Sequence, residues 1–198
     1  RVGTGSSGRN PGEGAGPRLR QVFEHLKEKH PGIFRGLRIM KTTGGVAPIG
    51  MRGRTYGDRA LLVGDAACHV KPISGGGLYF GLRAAGICAG TVVAALAAEN
   101  YSKDFLSSYQ RAWESTIGLE VRCGLHHRDV FLGMDDREMD DIVSFFNNPY
   151  WRRLILKHGD LDHHSVIAGK LAMAPPWAQR FMQGGLKMLM GCIGAISL

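Results

Sequence analysis

One stretch, residues 60–98, constrains this chain more than any other. Ala60-Leu61-Leu62-Val63 is a short apolar run bounded by turn signals, the pattern of a buried strand. It ends in Gly64-Asp65-Ala66-Ala67, followed by Pro72 and the triplet Gly75-Gly76-Gly77. Residues 78–98 are then rich in Ala, Leu, Val and Gly with Arg83 as the single charge, which predicts a buried helix. The uncharged part, residues 84–98, is shorter than the ~20 residues a bilayer requires, so no membrane span is expected. A strand that delivers an acidic residue at its carboxyl end places it where open α/β sheets bind ligands. Asp65 could accept a hydrogen bond from a sugar-like hydroxyl there. The glycines would let backbone approach a flat ligand closely. The helix that follows would point free N–H groups and its positive end at an anion. The alternative is a strand–turn–helix corner with an incidental Asp cap.

The rest of the chain frames that segment. Residues 1–16 are a Gly/Ser/Pro stretch. Pro17 suits a first helical position, and Leu19, Val22, Phe23 and Leu26 continue at helical spacing until Pro31-Gly32. Residues 37–51 read as β-rich, with Gly44-Gly45 and Pro48 making any strand irregular. Phe105, Tyr109, Trp113, Ile117 and Val121 predict a helix over residues 101–132. Asp135 with Glu138 three residues on predicts a capped helix ending at Asn147-Asn148-Pro149. Residues 165–198 suggest two short helices broken at Pro175-Pro176.

Composition narrows the class. With 44% hydrophobic and 21% charged residues, the chain is an ordinary globular sequence rather than a disordered one. Its 29 glycines exceed the about 14 of average usage and cluster at turns. Cys68, Cys88, Cys123 and Cys192 form no paired spacing, so they read as reduced cytoplasmic thiols. The net charge of +8 suits an anionic partner, but the basic residues are dispersed. No nucleic-acid motif is found, and nucleic acid is not expected as a partner. No charged-then-apolar leader opens the sequence, so secretion is not expected.

The phrase G-D-A-A, then Pro, then a Gly-rich turn into a long helix resembles the second FAD motif of glutathione-reductase-like flavoproteins. Within that group the chain is most similar to the geranylgeranyl reductase family, the archaeal digeranylgeranylglycerophospholipid reductases above all. Val46-Ala47-Pro48-Ile49-Gly50, Tyr109-Gln110-Arg111-Ala112-Trp113 and residues 132–138 resemble that family, as do Gly159-Asp160-Leu161-Asp162 and Ala174-Pro175-Pro176.

The resemblance implies an α/β (α+β) fold, the C-terminal half of a glutathione-reductase-like FAD-dependent oxidoreductase with a helical C-terminal region. Residues 1–55 would end the substrate sheet domain, 56–100 would return to the FAD domain, and 101–198 would be helical. The cofactor is FAD, with Asp65 on the ribityl chain, Gly76, Gly77 and Leu78 offering backbone to the isoalloxazine edge, and Pro72 near the ring. Gly3-Thr4-Gly5 matches the G-x-G ending of the family's lipid-binding motif, which makes Gly3 and Gly5 substrate candidates. The activity implied is saturation of isoprenoid double bonds of a lipid, fed by an electron donor such as NADPH or ferredoxin. Location would be cytoplasmic, peripheral on the inner face of the membrane.

No strand followed by G-x-G-x-x-G occurs, so the adenine half of the FAD site is not in these residues and a truncated reading is expected. Related flavin reactions share the Asp65 motif: aromatic hydroxylation, or electron-transfer-flavoprotein oxidoreduction, the latter with an iron–sulfur cysteine cluster that is not found here. A non-enzymatic helical interaction module keeping a relic of the motif is the third reading.

Other polar groups invite sharper roles. Cys68-His69 beside a flavin suggests redox or proton transfer, against a passive filling of the turn. His158, Asp160, Asp162, His163 and His164 follow no standard metal-ligand spacing, and no metal is expected. Arg52, Arg54 and Arg59 read as a solvated turn before they read as phosphate contacts. His126-His127 should lie on a helix with at least one ring in solvent. Phe181, Met182, Leu186, Met188, Leu189 and Met190 form an apolar series that fits either a core or, with Arg180 and Lys187, a membrane surface.

Overall fold

The computed structural model describes residues 15–173. The chain divides into two compact units, residues 1–46 and 47–198. In the first, α1 (Ala15–Lys29) is followed by the single turn α2 (Pro31–Phe34). Pro31 therefore starts a new turn rather than only ending the old one, as its fixed φ allows at a first helical position. Phe34 returns onto Phe23 of α1, edge to face at 5.8 Å.

The β-rich reading of residues 37–51 is not met, because the backbone there forms no strand. Leu37, Ile39, Met40 and Val46 stand exposed. An extended segment becomes a strand only through a partner's ladder, and Pro48 cannot donate to one.

The second unit is mostly helical with a two-stranded sheet, in place of the larger sheet an α/β reading implies. Strand β1 (Tyr56–Gly57) pairs antiparallel with β2 (Ala60–Leu61), Tyr56 opposite Leu61. The run at 60–63 is thus a hairpin arm with half-buried Leu61 and Val63, not a strand covered on both faces. Full burial would require neighbours on each side, which the described residues do not supply. A 3₁₀ turn over Gly64–Ala67 leads to α3 (Leu78–Ala97). Then follow α4 (Lys103–Trp113), a π-helical turn (Glu114–Gly118) and α5 (Leu119–Gly133). Three shorter helices close the described chain: α6 (Asp136–Phe146), α7 (Pro149–His158) and α8 (His164–Ala172).

The π turn answers a problem posed by the sequence. Tyr109, Trp113, Ile117 and Val121 are all buried in one cluster with Phe80 of α3. A spacing of four overshoots an α-helical turn by about 40° each time, so an ideal helix would rotate this stripe off the core. The i→i+5 turn between Trp113 and Leu119 inserts a residue and brings Ile117 and Val121 back to the same side.

Polar anchors fix the hairpin to this stripe. Trp113 Nε1–H donates to Thr55 Oγ1 at 2.9 Å, and the Thr55 N–H donates to Gln110 Oε1 at 2.9 Å. The Tyr109 hydroxyl donates to the Leu62 carbonyl at 2.8 Å. Burial, with the nearby Cys88 second, raises the pKa of that hydroxyl, which keeps it a donor.

The expected helix at 78–98 forms, but it is not buried. Phe80, Ala84 and Ala95 are its buried residues, whereas Leu82, Val93 and Leu96 are exposed. Its main described neighbours are α4 and the 3₁₀ turn, which cover one side. By length and composition alone it could cross a membrane, a test that core helices of soluble proteins also pass.

The expected cap is present. Asp135 Oδ1 accepts from the Glu138 N–H at 2.8 Å, and Glu138 Oε2 accepts from the Asp135 N–H at 3.0 Å. Asn148 caps α7, with Pro149 at its first position.

On α5, Gly124 presses against Pro72: a Cβ built there would lie 2.8 Å from Pro72 Cδ. Gly124→Val is therefore expected to cost about 1–3 kcal/mol by overpacking, read as a lower midpoint in urea unfolding. An unchanged midpoint would show that the Pro72 loop yields freely.

Candidate functional site

The Gly64–Ala67 turn is built by two reciprocal hydrogen bonds. The His69 N–H donates to the Gly64 carbonyl at 3.0 Å, and the Gly64 N–H donates to His69 Nδ1 at 3.2 Å. Accepting at Nδ1 places the proton of neutral His69 on Nε2. The ring is buried, lies on Trp113 with centroids 4.7 Å apart, and its Nε2 has no protein partner. Burial lowers its pKa from 6.5 to about 4. Gly64 at φ +67° and Cys68 at φ +59° are left-handed, and they bend the chain so that Asp65 projects outward. Asp65 is exposed.

A second loop meets this turn. The Lys71 N–H donates to the Gly76 carbonyl at 3.0 Å, and the Gly75 N–H donates to the Lys71 carbonyl at 2.9 Å. Gly75 requires its freedom, at φ +71°. Gly77 is the N-cap of α3 and makes no side-chain cap, so the first N–H groups of that helix are left for another acceptor. A Cβ on Gly77 would sit 3.1 Å from Asp65 Oδ1, and one on Gly76 would sit 3.0 Å from Lys71 Cε. Backbone and carboxylate thus meet where side chains would intrude. Leu78 begins the helix 79% exposed.

Of the residues singled out in the sequence, Asp65, Gly76, Gly77 and Leu78 lie together at the positive end of α3. Pro72 is fully buried against Gly124, and its carbonyl accepts from Arg128 Nη1 at 3.3 Å. Its place is under the loop, as a support. Gly3 and Gly5 lie outside the described residues, as do Cys192 and the apolar series from Phe181 to Met190. Arg52, Arg54 and Arg59 are exposed. His126 is exposed and His127 buried on α5.

Sequence reasoning missed the groups that pin the glycine loop. Lys71 Nζ donates to Asp162 Oδ1 at 2.6 Å and to the Leu161 carbonyl at 3.2 Å. The Tyr79 hydroxyl lies 3.4 Å from His163 Nε2, and His163 Nδ1 lies 3.3 Å from Asp160 Oδ2. Glu120 was missed too: it accepts from the Ser165 N–H at 3.0 Å and from the Ser165 hydroxyl, at the start of α8. Apart from His163 and Asp160, three residues from each other, these partners stand 45 to 91 residues apart, beyond any local pattern.

An exposed carboxylate, bare glycine backbone and an uncapped helix start fit the ribityl and pyrimidine side of a flavin. The carboxylate accepts hydroxyl protons, and the helix end favours negative charge.

No protein-family model matches the chain, and no solved structure matches it. Curated proteins do. An uncharacterised protein of Methanocaldococcus jannaschii is 38% identical over 139 residues, 70% of this chain and 35% of that protein. Digeranylgeranylglycerophospholipid reductase 1 of Methanopyrus kandleri is 31% identical over 74% of this chain and 39% of its own length. The digeranylgeranylglycerophospholipid reductase of Methanocaldococcus jannaschii is 30% identical over 68% of this chain and 36% of its own length. The chain spans about a third of the length of the curated relatives it matches. With the G-D-A-A turn folded onto the start of α3, that similarity identifies the chain as a distant homologue of the archaeal digeranylgeranylglycerophospholipid reductases over part of their length.

Proposed function

We propose that this chain carries the flavin-ring side of an FAD site, in a polypeptide that saturates isoprenoid double bonds of a lipid. The observation that carries the reading is the exposed Asp65 carboxylate set against Gly77 at the uncapped start of α3. Homology to the archaeal reductases supports the substrate class. Asp65 would accept hydrogen bonds from the ribityl hydroxyls. Gly77 and Leu78 would turn backbone N–H groups toward the anionic edge of the ring, where the helix end stabilises that charge. His69 would hold Gly64 in its left-handed turn, and Pro72 would hold the glycine loop from below. Reduced FAD, when bound, would supply hydride to one carbon of the double bond while the other takes a proton, and a carrier such as NADPH or ferredoxin would supply the electrons that reduce the flavin again. The adenine end of the cofactor would be held by residues other than these. A long isoprenoid substrate would place the enzyme at the cytoplasmic face of the membrane.

The test uses the full natural polypeptide that contains this sequence. It is expected to bind FAD, and Asp65→Ala should weaken binding roughly 10- to 100-fold, the loss of a charged hydrogen bond. With reduced FAD and a geranylgeranyl lipid, mass spectrometry should show two hydrogens added per double bond. Equal FAD binding by wild type and Asp65→Ala would remove Asp65 from the site. No mass gain across several such lipids would overturn the reaction.

A further inference from the structure

The glycine loop carries a cation that the pattern of G-D-A-A, Pro and glycines does not include. Lys71 opens the loop, and its N–H donates to the Gly76 carbonyl at 3.0 Å. Its side chain folds back along the same loop: a Cβ built on Gly76 would lie 3.0 Å from Lys71 Cε and 3.6 Å from Nζ. The ammonium therefore flanks the backbone that leads into Gly77 and the uncapped start of α3.

That cation is held from outside the loop. Nζ donates to Asp162 Oδ1 at 2.6 Å and to the Leu161 carbonyl at 3.2 Å. The two charged side chains are 14% and 33% exposed, so water and salt screen them less than an open surface pair. Asp162 is fixed in turn. Asp160 Oδ1 accepts from the Asp162 N–H at 2.7 Å and from the His163 N–H at 3.1 Å, and His163 Nε2 meets the Tyr79 hydroxyl at 3.4 Å. Both charges thus keep set positions beside the loop.

What the pair does rests on the flavin reading given above. A bound flavin that takes two electrons from a reduced carrier and one proton gains one negative charge. Charges beside the ring then decide how far the reduced form is favoured. The Asp65 carboxylate, 3.1 Å from a Cβ built on Gly77, disfavours that anion and offsets the positive end of α3. The Lys71 ammonium restores the balance, and the Asp162 carboxylate limits the gain. We propose that Lys71 and Asp162 set the reduction potential of the flavin at this loop, the lysine raising it and the aspartate holding it down.

The full natural polypeptide is loaded with FAD and titrated with dithionite against a reference dye, and the potential is read from the flavin absorbance. Lys71→Met keeps the length of the side chain and removes its charge. It should disfavour the reduced form about tenfold, which is about 30 mV toward negative potential for a two-electron couple. Asp162→Asn keeps an acceptor for Lys71 and removes the opposing charge. It should favour the reduced form about tenfold, toward positive potential. Lys71→Arg, which keeps the cation, should stay near the wild-type value. A pair that only clamps the loop gives no such opposition, because loosening the loop from either side moves both variants alike. With FAD still bound, a shift of the wrong sign in either variant, or none, would overturn the tuning and leave the flavin reading standing. Should Lys71→Met fail to fold, the sign of the Asp162→Asn shift decides alone. A wild-type polypeptide that binds no FAD would overturn the flavin reading and this inference with it.

Discussion

Trp113→Ala is expected to destabilise the protein by about 3–5 kcal/mol, a large part of the 5–15 kcal/mol typical of a domain. The side chain is 1% exposed and sits between Tyr109 and Ile117 in the stripe that packs on Phe80. Removing it leaves a cavity the size of an indole where a helix carries a π turn, and a π-turned segment has little freedom to collapse inward. Two further contacts go with it. Thr55 Oγ1 loses the donor at 2.9 Å, and the His69 ring loses the surface on which it lies. The damage therefore spreads from the core to the turn that carries Asp65. Trp113→Phe separates these effects: it keeps a ring under His69 and loses the indole N–H, at a cost of about 1–2 kcal/mol. Urea unfolding followed by circular dichroism measures both. A loss below about 1 kcal/mol for the alanine variant would mean that the stripe is not the core.

Why the sequence disclosed some of this and hid the rest has a physical basis. The long helical stripe from Tyr109 to Val121 was legible because burial on one face leaves a periodic record. The Asp135 cap was legible because its partner lies three residues away, whereas Asn148, read only as the end of one helix, also caps the next. The turn at Gly64 and the glycine loop were legible because left-handed backbone and close approach favour glycine at fixed positions. The expected strand at 37–51 failed because its apolar residues record a tendency to extend, and extension needs a partner elsewhere in the chain. The expected burial of α3 failed for a related reason: apolar composition states what a helix would cover, not whether these residues supply the cover. Thr55, Glu120 and the Lys71–Asp162 pair left no local trace, since each acts through a partner 45 or more residues away.

Acid should loosen the site before it unfolds the carboxylate-stabilised parts of the protein. His69 and His127 are both buried, and burial lowers each pKa from 6.5 to about 4; for His127 the charges of His126 and His164 add to that. In the unfolded chain both histidines take up protons near pH 6.5, whereas the folded protein resists until about pH 4. The unfolded state then binds more protons throughout that window, so the stability contributed by these two rings is full above about pH 7, falls with pH, and is lost below about 4. Each histidine contributes roughly 2–3 kcal/mol over the window, and the two together rival the stability of a small domain. The midpoint of thermal unfolding should drop steadily between pH 7 and 5, before most carboxylates titrate. His69→Asn, which keeps an acceptor near the Gly64 N–H, and His127→Gln should each remove about half of that slope. A midpoint flat to pH 5 would show that neither ring is held neutral by burial. The effect at His69 reaches further than stability. A proton on Nδ1 turns an acceptor into a donor facing the Gly64 N–H, so the bond that shapes the turn becomes a repulsion. Asp65 leaves its place against Gly77 when that turn opens, and the affinity for FAD proposed here should decline over the same pH range as the unfolding midpoint.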